Sequence, residues 1–275
     1  RRVIAYPIWM WHWSDPSDPA LPWPQFRTLD VDPAVKARAI AAFSSQIDGQ
    51  DPTLRPEMLE HFLAEREVYI ELGPESNDPP ELGADYFEEL HRRRDDPWRF
   101  LTRWYEERKR AIVLSGLLER RYGSALEVGC SIGVLTSGLA DRCDELLAVD
   151  ISAAAVHSAQ QRVGARARVE QVDVSEQFPS GPFDLIVLSE VGYYFSAARL
   201  DAVLVAARGA LNPNGELVAC HWRHPVENYP LLGDEVHRRI GMLGLPRLVR
   251  HEEDDFLFEV FSNDDRSVGR REGLA

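Results

Sequence analysis

The stretch LEVGCSIGVLT, Leu126 to Thr136, holds the residues of this 275-residue chain whose types and spacing say most about chemistry. An apolar run ends in a turn carrying Gly129 and Gly133, where a ligand can approach backbone amides. Glu127 precedes that turn, and its carboxylate would repel a pyrophosphate while suiting the ammonium of an amino-acid group. The glycines also miss the G-x-G-x-x-G dinucleotide spacing, because position 134 is Val. Asp150 closes LLAVDIS, about twenty residues past the turn, the position from which an acid accepts hydrogen bonds from ribose hydroxyls. Asp173 closes VEQVDV, where a carboxylate can accept from an adenine amino group. Either aspartate alone reads equally well as a helix cap or turn residue. Taken with Glu127 and the glycine turn, they point to a ligand.

These residues need a sheet to line them up. The apolar runs ALEVG, ELLAVD, ARVEQVD, FDLIVLSE and GELVACHW alternate with helix-length segments, the pattern of a parallel sheet covered on both faces. The expected fold is α/β, a doubly wound Rossmann-like sheet whose strand ends gather the glycines, Asp150, Asp173 and Ser189-Glu190 along one edge. Two further strands between Arg247 and Phe261 are expected to pair antiparallel at the sheet edge. Before the sheet, helices are expected over Asp85 to Arg93 and Pro97 to Tyr122. Residues 264–275, charged and glycine-containing, are expected to be a disordered tail.

The front of the chain differs in composition. GPESNDPPELG, residues 73–83, reads as a linker, since it can continue neither a helix nor a central strand. Ahead of it the sequence predicts a strand at Val3 to Trp9 and a Pro-rich loop from Ser14 to Pro24. A helix from Asp32-Pro33 to about Ile47, another at Pro56 to Arg66 and a strand at Glu67 to Leu72 follow. The missing initiator Met suggests that residue 1 is not the natural start of translation.

Composition narrows the function classes. The formal charge is −14, with no Lys/Arg stripe interleaved with aromatics, so nucleic acid is not an expected partner. No run approaches the length of a membrane span, and no leader with a small-residue cleavage site is evident. Three cysteines without a CxxC pair suggest neither zinc nor a disulfide framework, so no metal is expected and the cytoplasm is the expected location.

Residues 84–263 resemble class I S-adenosylmethionine-dependent methyltransferases, of the branch of nodulation S-type N-methyltransferases acting on chito-oligosaccharides. YFEELHRRRDDPWRF (Tyr86 to Phe100), WYEERK (Trp104 to Lys109), LEVGCSIGVLT, FDLIVLSEVGYYF (Phe183 to Phe195) and HWRHP (His221 to Pro225) carry it. The resemblance implies S-adenosylmethionine as cofactor. Glu127, Gly129 and Gly133 would then hold the methionine part, with Ser131 standing where the family commonly has a middle glycine. Asp150 with Ile151 would hold the ribose, Asp173 with Val174 the adenine, and Ser189-Glu190 would wall the methyl group. Residues 1–72 resemble the C-terminal end of PIG-L-type (LmbE-like) zinc deacetylases, through YPIWMWHW, VKARAIAAFSSQ and HFLAEREVYIE. The AHPDDE-type and HPDH stretches that hold that family's metal are not in this sequence, so deacetylase activity is not expected from it. Joined to a deacetylase, a methyltransferase would meet freed amines at high effective concentration. The expected acceptor is therefore a small molecule or oligosaccharide with a free amine, and contact with the rest of the deacetylase is expected.

A displacement on a sulfonium needs positioning and water exclusion more than activation. Trp98, Leu101, Tyr105, Arg108 and Ile112 follow helical spacing before the first strand and could form a lid, with Arg108 pairing the cofactor carboxylate and Trp98 facing the acceptor. The alternative is that Trp98 and Tyr105 are core and Arg108 is solvated. Tyr193, Tyr194 and Trp222 could stack on a sugar. Glu190, His221 or His224 could take a proton, and the sequence leaves the base unassigned among them. An O-methyltransferase, or a non-catalytic cofactor-binding module docking on a deacetylase, remain alternatives.

Overall fold

The computed structural model describes residues 3–5, 26–42, 63, 65–72 and 82–274, in two units, Arg1–Asn77 and Asp78–Ala275. In the first unit β1 (Val3–Ala5), β3 (Arg66–Leu72) and β2 (Phe26–Asp30) form an antiparallel sheet in that order. Helix α1 (Pro33–Ala41) starts where Asp32 Oδ1 accepts the Ala34 amide at 2.8 Å and Pro33 supplies a preset first turn. Strand β2 was not anticipated. The helix expected over 56–66 and the linker at 73–83 lie largely outside the described residues, and Arg66 itself begins β3.

The second unit opens with α2 (Ala84–Arg93) and α3 (Trp104–Ser115), then alternates β4 (Tyr122–Val128), α4 (Val134–Ala140), β5 (Cys143–Asp150), α5 (Ala153–Val163) and β6 (Arg168–Gln171). It continues through β7 (Phe183–Ser189), α6 (Ala197–Gly209), β8 (Leu211–Trp222), α7 (Gly233–Gly241), β9 (Arg247–Glu252) and β10 (Phe256–Ser262) to α8 (Val268–Arg271). The seven strands lie in the order β6-β5-β4-β7-β8-β10-β9. The first five are parallel, and β10 inserts antiparallel between β8 and β9. This is the expected doubly wound Rossmann-like fold with an antiparallel edge pair.

Strand alternation sorts the core into two layers. Leu126, Val128, Ile186, Leu188, Leu217 and Ala219 pack with Leu200 and Leu204 of α6 and with Val236 and Ile240 of α7. Their neighbours Ala125, Leu185, Val187, Val218 and Cys220 face Val113 of α3 and Leu139 of α4. Glu127, between Leu126 and Val128, therefore belongs to the α3/α4 face. No helix among the described residues is long and apolar enough to cross a membrane.

Two expectations are corrected. The helix predicted over Pro97 to Tyr122 is shortened at both ends. Asp96 takes the Phe100 and Leu101 amides at 2.8 and 2.9 Å, Arg99 adopts φ 63°, and Gly116 caps the end, leaving Tyr122 to begin β4. Of the tail expected over 264–275, the described residues 264–274 are not loose. Ser267 caps α8, and Arg271 reaches Glu216 at 2.8 Å and Glu119 at 2.5 Å, because the buried Glu216 carboxylate needs a cation.

Candidate cofactor and acceptor site

Strand β4 delivers Glu127 and then turns sharply, with Gly129 at φ 75°, Ser131 at φ 48° and Gly133 at φ 78°. At two of these positions φ favours glycine and the space for a side chain is tight. A Cβ on Gly129 would lie 3.1 Å from Val191, and one on Gly133 only 2.9 Å from the Ala159 Cα. Ser131 has no such exemption and holds a left-handed conformation because its amide donates to Asp150 Oδ2 at 2.8 Å. The same carboxylate accepts the Ser152 amide at 3.0 Å, tying the ends of β4 and β5 together.

These strand ends open onto one pocket. It is lined by Glu127, Gly129, Cys130 and Ser131, by Asp150 and Ile151, by Asp173 and Val174, and by Ser189, Glu190, Tyr193 and Tyr194. Glu127 is buried, and its Oε2 has no hydrogen-bond partner among the described residues. Burial pushes its carboxyl up to about 8, the nearby Thr136 hydroxyl tempering the rise. Burial also raises Asp150, against the Ser152 and Ser131 amides and His91, which pull it down. Asp173 spends one oxygen on Ser175, accepting its amide at 2.9 Å and its hydroxyl at 2.6 Å. An orphaned buried carboxyl oxygen beside a glycine turn, with a second acid twenty-odd residues on, fits an amino-acid ammonium joined to a nucleoside.

Helix α3 contributes differently from the expectation. Arg108 does not line the pocket. It forms a bidentate pair with Glu253 at 2.6 and 2.7 Å, pulling that carboxyl down to about 2. Tyr105 also lies off the pocket, edge-on to Trp222 and Phe256. The pocket face of α3 is Glu106, Lys109, Arg110 and Val113, a stripe at 3-4 spacing displaced from the one chosen on the sequence. Lys109 Nζ bridges Glu190 Oε1 at 2.8 Å and Glu106 Oε2 at 3.0 Å, all three side chains being mostly buried. Arg110 donates to the carbonyls of Phe100 at 3.4 Å and Glu106 at 3.2 Å. His91, from α2, was also not singled out. It is buried in the pocket wall, edge-on to Trp98.

The predicted bases separate. Glu190 lines the pocket, whereas His221 is fully buried behind it, its Nε2 3.1 Å from the Gly192 amide and its Nδ1 3.2 Å from His237, which bonds Glu259 at 2.8 Å. His224 is exposed, 3.0 Å from Asp255. With Asp254 these form a surface group whose ligand-type atoms lie within 4.8 Å of one another. Neither histidine touches the pocket, which corrects both assignments. Tyr193, stacked on Tyr229, and Tyr194, edge-on to Phe87 and Tyr229, line the pocket, whereas Trp222 packs between Tyr105 and His224 outside it, which corrects its stacking role. Trp98 does line the pocket, beside Phe100.

A sheet of this order, with a glycine turn and acidic strand ends on one edge, places the second unit in the class of Rossmann-like methyltransferase folds. Within it, the nodulation protein S (NodS) family matches residues 85–228, and the chain belongs to that family. Nodulation protein S of Bradyrhizobium diazoefficiens is 39% identical over 105 residues, covering 36% of this chain and 49% of that protein. The Rhizobium tropici protein is 34% identical over 128 residues, covering 45% and 54%. The chain thus spans about half the length of the curated relatives it matches. The crystal structure of N-methyltransferase NodS from Bradyrhizobium japonicum WM9 in complex with S-adenosyl-L-homocysteine is similar with a TM-score of 0.58 at 25% identity, covering 65% of this chain and 98% of that one.

Proposed function

We propose that residues 84–263 form an S-adenosylmethionine-dependent methyltransferase that N-methylates the free amine of a deacetylated amino sugar or glycoconjugate. The observation that carries the cofactor assignment is the buried, unpartnered Oε2 of Glu127 beside the glycine turn. It would accept the cofactor ammonium, Asp150 the ribose hydroxyls and Asp173 the adenine amino group. Arg110, bonded only to carbonyls among the described residues, replaces Arg108 as the partner of the cofactor carboxylate. The bound cofactor supplies an activated methyl group on a sulfonium. The protein's part is to orient it, exclude water and present the amine in line. Support for an amine acceptor comes from the N-methyltransferase relative and from the deacetylase-like wording of residues 1–72, which we read as the C-terminal part of a domain that would expose such amines.

Calorimetry with S-adenosylhomocysteine and labelled methyl transfer to a glucosamine oligomer and its N-acetylated counterpart test this. The parent is expected to bind the product and to methylate only the free amine. Glu127→Ala is expected to weaken binding on the order of tenfold or more, the loss of a charge-assisted hydrogen bond. Unchanged binding in Glu127→Ala would remove the cofactor assignment. Transfer to hydroxyl-only acceptors would replace the amine with an alcohol.

A further inference from the structure

Glu106, Lys109 and Glu190 all line the pocket, yet none of them holds a part of the cofactor in the arrangement above. One ammonium stands between two carboxylates, so the group carries an excess of one negative charge. Arg110 is next on α3, but its guanidinium is directed to carbonyls and assigned to the cofactor carboxylate.

The two acids are not equivalent. Glu190 has three donors, with Oε1 accepting from Lys109 at 2.8 Å and Oε2 from the Tyr193 hydroxyl and the Trp222 amide, the latter at 3.2 Å. Its backbone is also fixed in the left-handed region at φ 58°. Glu106 has a single donor among the described residues, Lys109, at 3.2 Å on Oε1 and 3.0 Å on Oε2. A carboxylate offers about four acceptor sites, so Glu106, with one donor, keeps more of them for a pocket ligand than Glu190, which has three.

We propose that Glu106 is the catalytic base of this site: its carboxylate receives the acceptor as an ammonium and takes one proton from it before methyl transfer. This rests on the N-methyltransferase reading above. The ammonium gives one N–H proton to a Glu106 oxygen, and the neutral amine so formed uses its freed lone pair to make the new N–C bond as the methyl–sulfur bond breaks. The sulfur leaves as a neutral thioether, and the positive charge passes to the methylated ammonium. Glu106 returns its proton to solvent as product departs.

Neighbouring groups suit the role. Burial raises the Glu106 carboxyl above its ordinary range, Lys109 opposing and Glu190 reinforcing the rise. Burial acts to lower Lys109, but Glu190 and Glu106 outweigh it and hold the ammonium protonated, so Lys109 is a positioning cation and no base. Tyr105, whose ring lies 4.9 Å from Nζ, is pushed upward by burial and keeps its proton.

The test combines a pH profile with a binding measurement. For methyl transfer to a glucosamine oligomer, Glu106→Gln is expected to lower kcat/KM on the order of 10²–10⁴-fold at neutral pH. The deficit is expected to shrink as pH rises and the substrate amine loses its proton unaided, and Glu106→Asp should restore part of the rate. Independently of turnover, the oligomer should bind Glu106→Gln saturated with S-adenosylhomocysteine about tenfold more weakly, with affinity for S-adenosylhomocysteine unchanged. A deficit equal at every pH with unaltered oligomer affinity, or a variant as fast as the parent, overturns the base assignment and leaves the methyltransferase reading standing. A parent that methylates no amine overturns both.

Discussion

Glu127 shows how burial prepares a charge for its partner. Raised to about 8, its carboxyl is largely protonated in the ligand-free protein at neutral pH, and an arriving ammonium favours the ionised form. Binding of S-adenosylhomocysteine near neutral pH should therefore release up to about one proton, fewer as pH rises through about 8, seen as a buffer-dependent enthalpy in calorimetry. Proton exchange that is absent, or that survives in Glu127→Gln, contradicts this origin. The sign for stability is the opposite of that for a salt-bridged acid. A raised carboxyl favours the fold fully below its ordinary value of 4.5, and this contribution is lost as pH rises towards and through about 8. Glu127→Gln should flatten that part of a stability–pH curve measured by urea unfolding. The two arginines of α3 make a second residue-scale contrast. Arg110→Ala should weaken S-adenosylhomocysteine binding several-fold, whereas Arg108→Ala, which removes only the Glu253 pair, should leave it unchanged.

Among the elements, the β4–α4 turn is where backbone geometry and packing coincide. Gly133 combines φ 78° with the closest approach of α5, so Gly133→Ala sets a Cβ against the Ala159 main chain, which cannot rotate away as a side chain would. The combined strain and clash are expected to cost about 2 kcal/mol in urea unfolding, with weaker cofactor-product binding because the turn shifts. The sheet was legible element by element because the buried parallel strands β4, β5, β7 and β8 read as near-continuous apolar runs, and each of the five runs, the mostly exposed β6 included, became a strand. The register of α3 was not. Trp98 to Ile112 and Glu106 to Val113 both satisfy helical spacing, and Arg99 at φ 63° breaks the longer stripe before the helix begins. Nothing local in the sequence announces that break except Asp96, whose carboxylate caps the turn instead.

Over the second unit as a whole, α8 closes back on the sheet through charge. Glu216 is buried on β8, its Oε1 held by Arg271 and its Oε2 by the Tyr122 hydroxyl at 2.5 Å, so three remote segments share one carboxylate. Burial raises Glu216, with Tyr122 and Arg271 opposing. Arg271→Ala should destabilise the protein by about 2–4 kcal/mol, since a buried carboxylate loses its cation. Adding Glu216→Gln should recover much of that loss in a double-mutant cycle. Additive effects would show that the pair is not coupled.

The sequence by itself determined the doubly wound sheet and the set of strand ends that carry Glu127, Asp150 and Asp173, because strand period and the strand-to-helix turn are local rules written in adjacent residues. It could not determine which arginine of α3 turns inward, that His221 lies behind the wall and His224 on the surface, or that Lys109 joins Glu106 to Glu190. Those outcomes depend on where a helix starts and on which side chains from distant segments meet in a low-dielectric interior. Only the tertiary structure brings such groups close enough for burial to make an unpaired charge costly and a paired one decisive.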